Sequence, residues 1–247
     1  FDELVIANLT EHFETLKGAE HVRAVFIRGA GESFCAGADI EWMRRQGART
    51  REDNEADALD LARMLKHLND LPQLTVALVH GAAMGGGAGL VAACDVAVAV
   101  KDAKFRFSEV RLGLTPATIS PYVIQAIGPR WTKALFATAE GFDGDFAEKI
   151  GLVQYTVENV AGLDAMMEHL CELALAAAPG AVADSKELVR FLIDDVTRSR
   201  NVVGSGHVVD EHLIKETARR IASRRASNEG REGLAAFLEK RKPEWNG

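Results

Sequence analysis

The stretch HGAAMGGGAGLVAACDVAVAV, from His80 to Val100, places five glycines between two apolar runs. The run that leads into it, LTVALVHG, and the run that closes it, VAVAV, have the length and composition of buried strands. Between them, AGLVAACD has the small and apolar residues of a short buried helix. A strand, a glycine and alanine loop, a helix and a second strand predict a parallel or mixed sheet with helices packed on it. The predicted fold class is therefore α/β.

The same unit occurs earlier in the chain. VRAVFIRG, from Val22 to Gly29, has strand length, and the small-residue loop AGESFCAGAD separates it from a helical pattern that starts at Ile40. Residues Phe1–Lys17 also have helical spacing. Farther along, the sequence predicts a strand over KFRFSEV and three helices, over Ser120–Ile127, over Pro129–Thr138, and over DGDFAEKIG with Asp143 at its start and Gly151 just past its end.

Helical spacing continues from Gly162 to the last residue, with breaks at Pro179-Gly180 and at VVGSGH. No low-complexity linker separates this part from the rest. The sequence therefore predicts an α/β core over residues 1–180 and a C-terminal helical region over residues 181–247.

Composition and charge narrow the classes of function. With 247 residues, of which 47% are hydrophobic, the chain can bury a large core, and its net charge of −7 argues against a nucleic-acid partner. The three cysteines are odd in number and far apart, which is typical of a protein from a reducing compartment. The apolar stretch Leu74–Val100 is interrupted by His80, Asp95 and the glycines, so we expect no membrane span and a cytoplasmic location.

The two small-residue loops each lie between a strand and a helix. At such a junction the free backbone N–H groups of the helix N-terminus point outward, which suits an oxyanion. Two such loops could supply two donors to one oxygen and so stabilise an enolate or a tetrahedral intermediate. The alternative is that the glycines serve only close packing of helix on sheet. The glycine spacing matches neither of the common phosphate-binding loop motifs.

Glu109 is the candidate acid–base residue. On a strand through AKFRFSEVRL, Glu109 would share one face with Phe105 and Phe107, and an apolar face raises the pKa of a carboxyl group. A raised pKa suits a group that takes up and returns protons near neutrality. The alternative is a glutamate at the sheet edge, paired with Arg106 or Arg111.

Several motifs together resemble the crotonase, or enoyl-CoA hydratase/isomerase, superfamily. They are SFCAGADI (Ser33–Ile40), GAAMGGG (Gly81–Gly87), CDVAVA, FSEVRLGL (Phe107–Leu114) and the tail REGLAAFLEKRKPEW. The resemblance covers nearly the whole chain, in order. The chain begins where the first long helix of the family begins, so the family's N-terminal strand pair, which helps to hold coenzyme A, is not in this sequence.

This resemblance implies a spiral core of repeated ββα units with a C-terminal helical arm, assembled as a homotrimer or homohexamer through residues 181–247. It implies an acyl-CoA thioester substrate and no separate cofactor, since coenzyme A enters with the substrate. It places the oxyanion donors at the backbone N–H groups of Ala38 and Gly86, and it makes Glu109 the catalytic carboxylate. The other residues expected to contact the thioester are Ala36, Asp39, Ile40, Met84, Gly85 and Leu114.

One departure from the family bears on mechanism. Hydratases with two catalytic glutamates carry the second one two residues after the triple glycine, where this chain has Gly89. A single carboxylate could still serve a hydratase, or an isomerase that moves a proton between C2 and C4. The strings GGGAGL and ATISPYV look like those of bacterial hydratases of branched glutaconyl-CoA esters in leucine and acyclic terpene breakdown. We therefore expect an enoyl-CoA hydratase, with an isomerase or a non-catalytic acyl-CoA-binding subunit as alternatives.

Other polar residues have two interpretations each. His80 could touch the reaction or be a buried core histidine, and Cys35 is best explained by packing. In HVVDEH, His207, Asp210 and Glu211 could bind a metal, although an exposed polar helix face explains them better. The basic residues that could meet the phosphates of coenzyme A, or simply be solvated, are Arg44, Arg45, Lys240, Arg241 and Lys242.

Overall fold

A computed structural model describes residues 1–199 and 209–246, which divide into two compact units, Phe1–Cys171 and Glu172–Gly247. The helices and strands of the first part, in chain order, are α1 (Glu3–Lys17), β1 (Ala24–Arg28), α2 (Ile40–Gly47), α3 (Arg51–Asn69), β2 (Leu74–Val79), β3 (Ala82–Met84), α4 (Gly86–Ala93), β4 (Val96–Val100), β5 (Lys104–Arg106), α5 (Ser120–Thr138), α6 (Gly144–Ile150), β6 (Tyr155–Val157) and α7 (Val160–Ala176). The remaining helices are α8 (Pro179–Ser199), α9 (Glu211–Ala226) and α10 (Asn228–Glu239). The predicted break at VVGSGH lies outside the described residues.

A four-stranded parallel sheet, in the order β1-β2-β4-β6, forms the centre of the first unit. Strands β2 and β4 are buried along almost their whole length, because helices cover the faces of a parallel sheet. The apolar runs on either side of the glycine loop are therefore adjacent strands of one sheet. This confirms the α/β fold class predicted from the sequence.

Beside the larger sheet, β3 and β5 form a two-stranded parallel sheet. The loop that follows β1 joins it through an isolated parallel bridge between Cys35 and Ala83. This small sheet brings together three segments that are far apart in the sequence: the loop after β1, the glycine loop before α4, and the segment that leads to Glu109.

Local signals in the sequence placed the helix ends correctly. Asp143 accepts a hydrogen bond from the backbone N–H of Phe146 at 2.9 Å, and Gly151 ends α6 with a φ of 89°. The two helices predicted on either side of Gly128 are both present within α5, because Gly128, with a φ of 72° and a ψ of 164°, is not helical and Pro129 begins the second helix.

The strand predicted over KFRFSEV is too long. Strand β5 ends at Arg106, and Glu109 begins a 3₁₀ helix that runs to Leu112. Ser108 already has helical dihedral angles, and its carbonyl accepts from the N–H of Arg111 at 3.0 Å, so the extended backbone ends before Glu109. Glu109 therefore does not share a strand face with Phe105 and Phe107, although both aromatic side chains are buried.

The second unit is helical. Helix α8 begins with Pro179, where the sequence predicts a break, because proline is well accommodated in the first turn of a helix. The Glu229 carboxylate accepts from the N–H groups of Gly180 and Ala181, and it pairs with Arg224 at 2.6 Å. Over the described ranges, no helix has the length and apolar character needed to cross a bilayer. The trimerisation role of residues 181–247 stays a prediction.

Candidate active site

Backbone hydrogen bonds hold the first loop against β3. The N–H of Phe34 donates to the His80 carbonyl, the N–H of Cys35 donates to the Ala82 carbonyl, and the N–H of Met84 donates back to the Cys35 carbonyl, at 2.9, 2.9 and 3.0 Å. Because these bonds alternate between the two segments, the loops that follow β1 and β3 run side by side. Two loops that are nearly fifty residues apart thus reach one place.

The second loop turns directly into helix α4. Gly85 has a φ of 51°, a conformation that side chains disfavour, and its N–H donates to the Arg106 carbonyl at 2.9 Å. No side chain caps α4, and the first hydrogen bond of the helix runs from the Gly89 N–H to the Gly85 carbonyl. The N–H of Gly86 consequently has no partner within the helix and can donate to a ligand.

The first predicted donor, Ala38, lies just before α2. Within the described part of the chain its N–H donates to no backbone acceptor. The next residue, Asp39, caps α2 by accepting from the N–H of Trp42 at 2.9 Å, so its carboxylate has a structural role. Phe1 connects the two loops: its nitrogen lies 2.7 Å from the Gly37 carbonyl, and its ring lies 3.2 Å from where a Cβ on Gly86 would be.

Glu109 lies beside the second loop. A Cβ on Gly85 would be 3.2 Å from Glu109 Oε1, so the carboxylate is one residue away from the predicted donor Gly86. The other oxygen, Oε2, is buried and has no hydrogen-bond partner among the described residues. No ion pair between Glu109 and Arg106 or Arg111 occurs in the described residues, which argues against the alternative of a paired glutamate at the sheet edge.

Burial raises the pKa of Glu109 above the ordinary value of a glutamate, and a hydrogen bond from its own backbone opposes this only in part. The chain thus has a carboxyl group with a raised pKa next to a helix N-terminus with free N–H groups. This arrangement can take a proton from one atom, return it to another, and stabilise an oxyanion between them. The direction of this shift is the one that the sequence suggested and its cause is burial, although Glu109 lies on a 3₁₀ helix and not on a strand face.

The space beside Gly89 is filled. A Cβ at this position would be 2.2 Å from Cγ2 of Ile119, which is 1% exposed. A glutamate at this position has no room as the chain stands, and neither does a part of the substrate. Sequence reasoning missed Ile119, because no motif or periodicity marks a residue that acts by filling space.

Gly89→Ala is expected to destabilise the protein. The added methyl would overlap the buried side chain of Ile119, and overpacking of this kind costs about 1–3 kcal/mol of unfolding free energy, more than the helix gains from alanine. Chemical denaturation measures the loss. Gly47→Ala is the control, since Gly47 also lies in a helix but has no heavy atom within 4 Å of where its Cβ would be. Equal stability of the two variants would contradict the expectation.

Part of the predicted binding set lines a cleft of about 840 Å³ beside α1. Of the predicted residues it includes Ala36, Ala38, Asp39 and Ile40. The other predicted residues do not line this cleft. Met84 ends β3 and Gly85 follows it, and the N–H of Leu114 donates to the Glu109 carbonyl at 3.0 Å. The predicted residues therefore form two groups, one that lines the cleft and one that lies near Glu109.

The basic residues predicted to bind phosphate mostly have acidic partners. Arg44 pairs with Glu41 at 2.5 Å, Arg45 with Glu3 at 2.6 Å, and Arg241 with Glu232 at 2.6 Å. The first two pairs are largely exposed, and exposed ion pairs contribute little. The Glu232 side chain is 17% exposed and accepts hydrogen bonds from Arg241 on both of its oxygens. Lys240 and Lys242 are exposed. Binding of coenzyme A by Arg44, Lys240 and Lys242 stays a prediction.

The remaining candidates have structural roles. His80 is buried, and its Nε2 lies 3.0 Å from the Gly31 carbonyl, which ties the imidazole to the first loop. The Cys35 side chain packs against Gly87, whose Cβ would lie 2.6 Å from that of the cysteine. Asp210 caps α9 by accepting from the Leu213 N–H, and His207 lies outside the described residues. The part of the chain that the structure describes holds no group of three or more metal-ligating side chains.

Comparisons with known proteins show the family to which the chain belongs. Residues 1–247 match the family model for enoyl-CoA hydratase/isomerase. The chain is similar to a crystal structure of an enoyl-CoA hydratase from Shewanella pealeana, with a TM-score of 0.91 and 38% identity over 99% of this chain and 87% of that one. A second crystal structure, of enoyl-CoA hydratase from Mycobacterium smegmatis, has a TM-score of 0.87 and 32% identity over 100% of this chain and 90% of that one. Mitochondrial methylglutaconyl-CoA hydratase of Mus musculus is 29% identical over 97% of this chain and 73% of its own length.

Proposed function

The chain is an enzyme that belongs to the enoyl-CoA hydratase/isomerase family, and we propose that it adds water across the 2,3 double bond of an enoyl-CoA thioester. The observation that carries this proposal is the position of the Glu109 carboxylate, with its raised pKa, beside the glycine loop that begins α4. A proton-transfer group and an oxyanion site are the two parts that this reaction needs.

In the proposed reaction, ionised Glu109 takes a proton from water while the water oxygen bonds to C3 of the acyl group. The electron pair of the double bond moves toward the thioester carbonyl, which becomes an enolate oxygen. The N–H groups of Ala38 and Gly86 donate to that oxygen. Glu109 then returns a proton to C2, so the carboxylate is regenerated and the elements of water are added. No cofactor takes part, since coenzyme A is a portion of the substrate.

We propose that the substrate is the CoA ester of a branched glutaconyl group, such as 3-methylglutaconyl-CoA. Its support is the pair of strings GGGAGL and ATISPYV, together with the similarity to the mouse methylglutaconyl-CoA hydratase. The cleft beside α1 is the place proposed for the coenzyme A portion. Arg44 is a candidate contact to its phosphates, and Lys240 and Lys242 of a neighbouring subunit are further candidates.

Product analysis tests the proposed reaction. The purified protein is incubated with crotonyl-CoA and, separately, with 3-methylglutaconyl-CoA, and the products are followed by mass spectrometry and by loss of the conjugated-enoyl absorbance. A gain of one water by either substrate supports a hydratase. A product of unchanged mass with a shifted double bond would instead indicate an isomerase, and binding without any product would indicate an acyl-CoA-binding subunit.

We also propose that the protein is a homotrimer or homohexamer in the cytoplasm. Helix α10 exposes Leu234, Phe237 and Leu238, which are 54%, 80% and 77% accessible, and a row of large apolar side chains of this kind is typical of an interface between subunits. Light scattering at micromolar concentration should give the mass of three or six chains, and a stable monomer would contradict the proposal. The cysteines Cys35, Cys94 and Cys171 are all unbridged, which supports a reducing compartment.

A further inference from the structure

Ile119 and Gly89 fit into one another. Ile119 immediately precedes α5, and its buried side chain packs against α4 at Gly89, which has no Cβ. Both Cγ2 and Cβ of Ile119 would overlap a side chain at position 89, at 2.2 and 2.8 Å from its Cβ. Glycine therefore makes the hole, and isoleucine fills it.

This interlock lies next to the Glu109 carboxylate. Gly85 and Gly89 are one helical turn apart, joined by a hydrogen bond of 3.1 Å from the Gly89 N–H to the Gly85 carbonyl. Gly85 is the non-helical residue just before α4, so this hydrogen bond is what relates the two positions. A Cβ on Gly85 would be 3.2 Å from Glu109 Oε1 and a Cβ on Gly89 would be 2.2 Å from Ile119 Cγ2, so the two side chains contact the two ends of the first turn of α4.

We propose that Ile119 is a positioning residue for Glu109: by filling the hole at Gly89, it keeps water and any second polar side chain out of the space beside the carboxylate. This proposal rests on the proton-transfer role proposed above for Glu109. It also accounts for the buried Oε2 atom, which has no hydrogen-bond partner in the described residues. Burial is the cause of the raised pKa of Glu109, and on this proposal Ile119 contributes to that burial.

Charged side chains do not explain the raised pKa of Glu109. Helix α4 carries no titratable side chain. The titratable residues on the other elements around the carboxylate are Arg111 on its own 3₁₀ helix, Asp39 before α2, Lys104 and Arg106 on β5, and Tyr122, Arg130 and Lys133 on α5. None of them forms an ion pair with Glu109 within the described ranges, and the pKa of Glu109 responds to burial and to its own backbone. Removing apolar volume beside the carboxylate should therefore change its titration.

Ile119→Ala tests the proposal, with Val123→Ala as the matched control, because Val123 is equally buried one turn farther along α5. The titration of Glu109 is followed by the ¹³C shift of its side-chain carboxyl, assigned by its disappearance in Glu109→Gln. Water admitted beside the carboxylate in Ile119→Ala should lower the pKa of Glu109 by roughly half a unit or more. Since ionised Glu109 is the form that starts the reaction, the rising limb of kcat/KM should move to lower pH by the same amount.

Val123→Ala should change neither the carboxyl titration of Glu109 nor the pH profile of kcat/KM. Ile119→Val keeps the Cγ2 contact, so its Glu109 should titrate as in the parent protein. This milder variant is used if Ile119→Ala does not fold. An unchanged carboxyl titration in Ile119→Ala, or an equal shift in Val123→Ala, would overturn the proposal. The carboxyl titration does not depend on turnover. If Glu109→Gln keeps full activity, the proposed catalytic role fails, whereas the carboxyl titration of Ile119→Ala still reports whether Ile119 shields the carboxylate from water.

Discussion

Glu109→Gln is expected to reduce kcat for hydration of crotonyl-CoA by about 10²- to 10⁴-fold, the usual contribution of a general acid–base group. Glutamine keeps the shape of the side chain and can still form hydrogen bonds, but it cannot cycle a proton between water and C2. The buried environment beside Gly85 accepts a neutral amide, because Glu109 Oε2 has no partner there that the substitution would break. Folding and stability should therefore change little.

Steady-state kinetics measure the loss, and calorimetric binding of butyryl-CoA, a saturated ester that cannot react, should show nearly unchanged affinity. Glu140→Gln is the control, since Glu140 is exposed after α5 and belongs to no part of the site. Hydration at the parent rate by Glu109→Gln, with every enoyl-CoA tested, would contradict the assignment. His80, which is buried behind the first loop, would then be the next residue to test.

Gly86→Pro is expected to lower kcat by about 10²- to 10³-fold, because it removes one of the two N–H groups proposed to hold the enolate oxygen. Gly86 is the first residue of α4, where proline is tolerated in a helix, since the N–H at this position has no partner within the helix. The substitution thus removes the donor while the helical hydrogen bonds from Gly89 onward can remain.

Gly86→Ala is the matched control for this variant. It introduces the same Cβ, which would lie 3.2 Å from the ring of Phe1, but it keeps the N–H. The ratio of kcat between the alanine and proline variants therefore measures the donor, after circular dichroism has shown that both are folded. If the folded proline variant turned over as fast as the alanine variant, the glycine loop would serve packing only, which is the alternative that the sequence left open.

The sequence by itself determined the elements whose signals are local. The apolar runs around the glycine loop predicted β2 and β4, and the small-residue loops before α2 and α4 predicted where backbone donors are free. Asp143 and Gly151 predicted the ends of α6, because capping depends on hydrogen bonds within a few residues. The two candidate donors and the catalytic role of Glu109 came from the resemblance to a family and stay predictions, while the structure places Glu109 next to the second loop.

Only the tertiary structure decided the features that depend on contacts between distant segments. The bridge between Cys35 and Ala83 sets the two loops side by side, and it joins residues 48 positions apart. Strand β5 ends at Arg106 and Glu109 begins a 3₁₀ helix, whereas the sequence pattern alone predicted that the strand continues through Glu109. Ile119 fills the hole at Gly89 because α5 packs on α4, and a hole of this kind is defined by two surfaces at once. Periodicity describes one face of one element, so the fit between two elements became visible only where the folded chain brings them into contact.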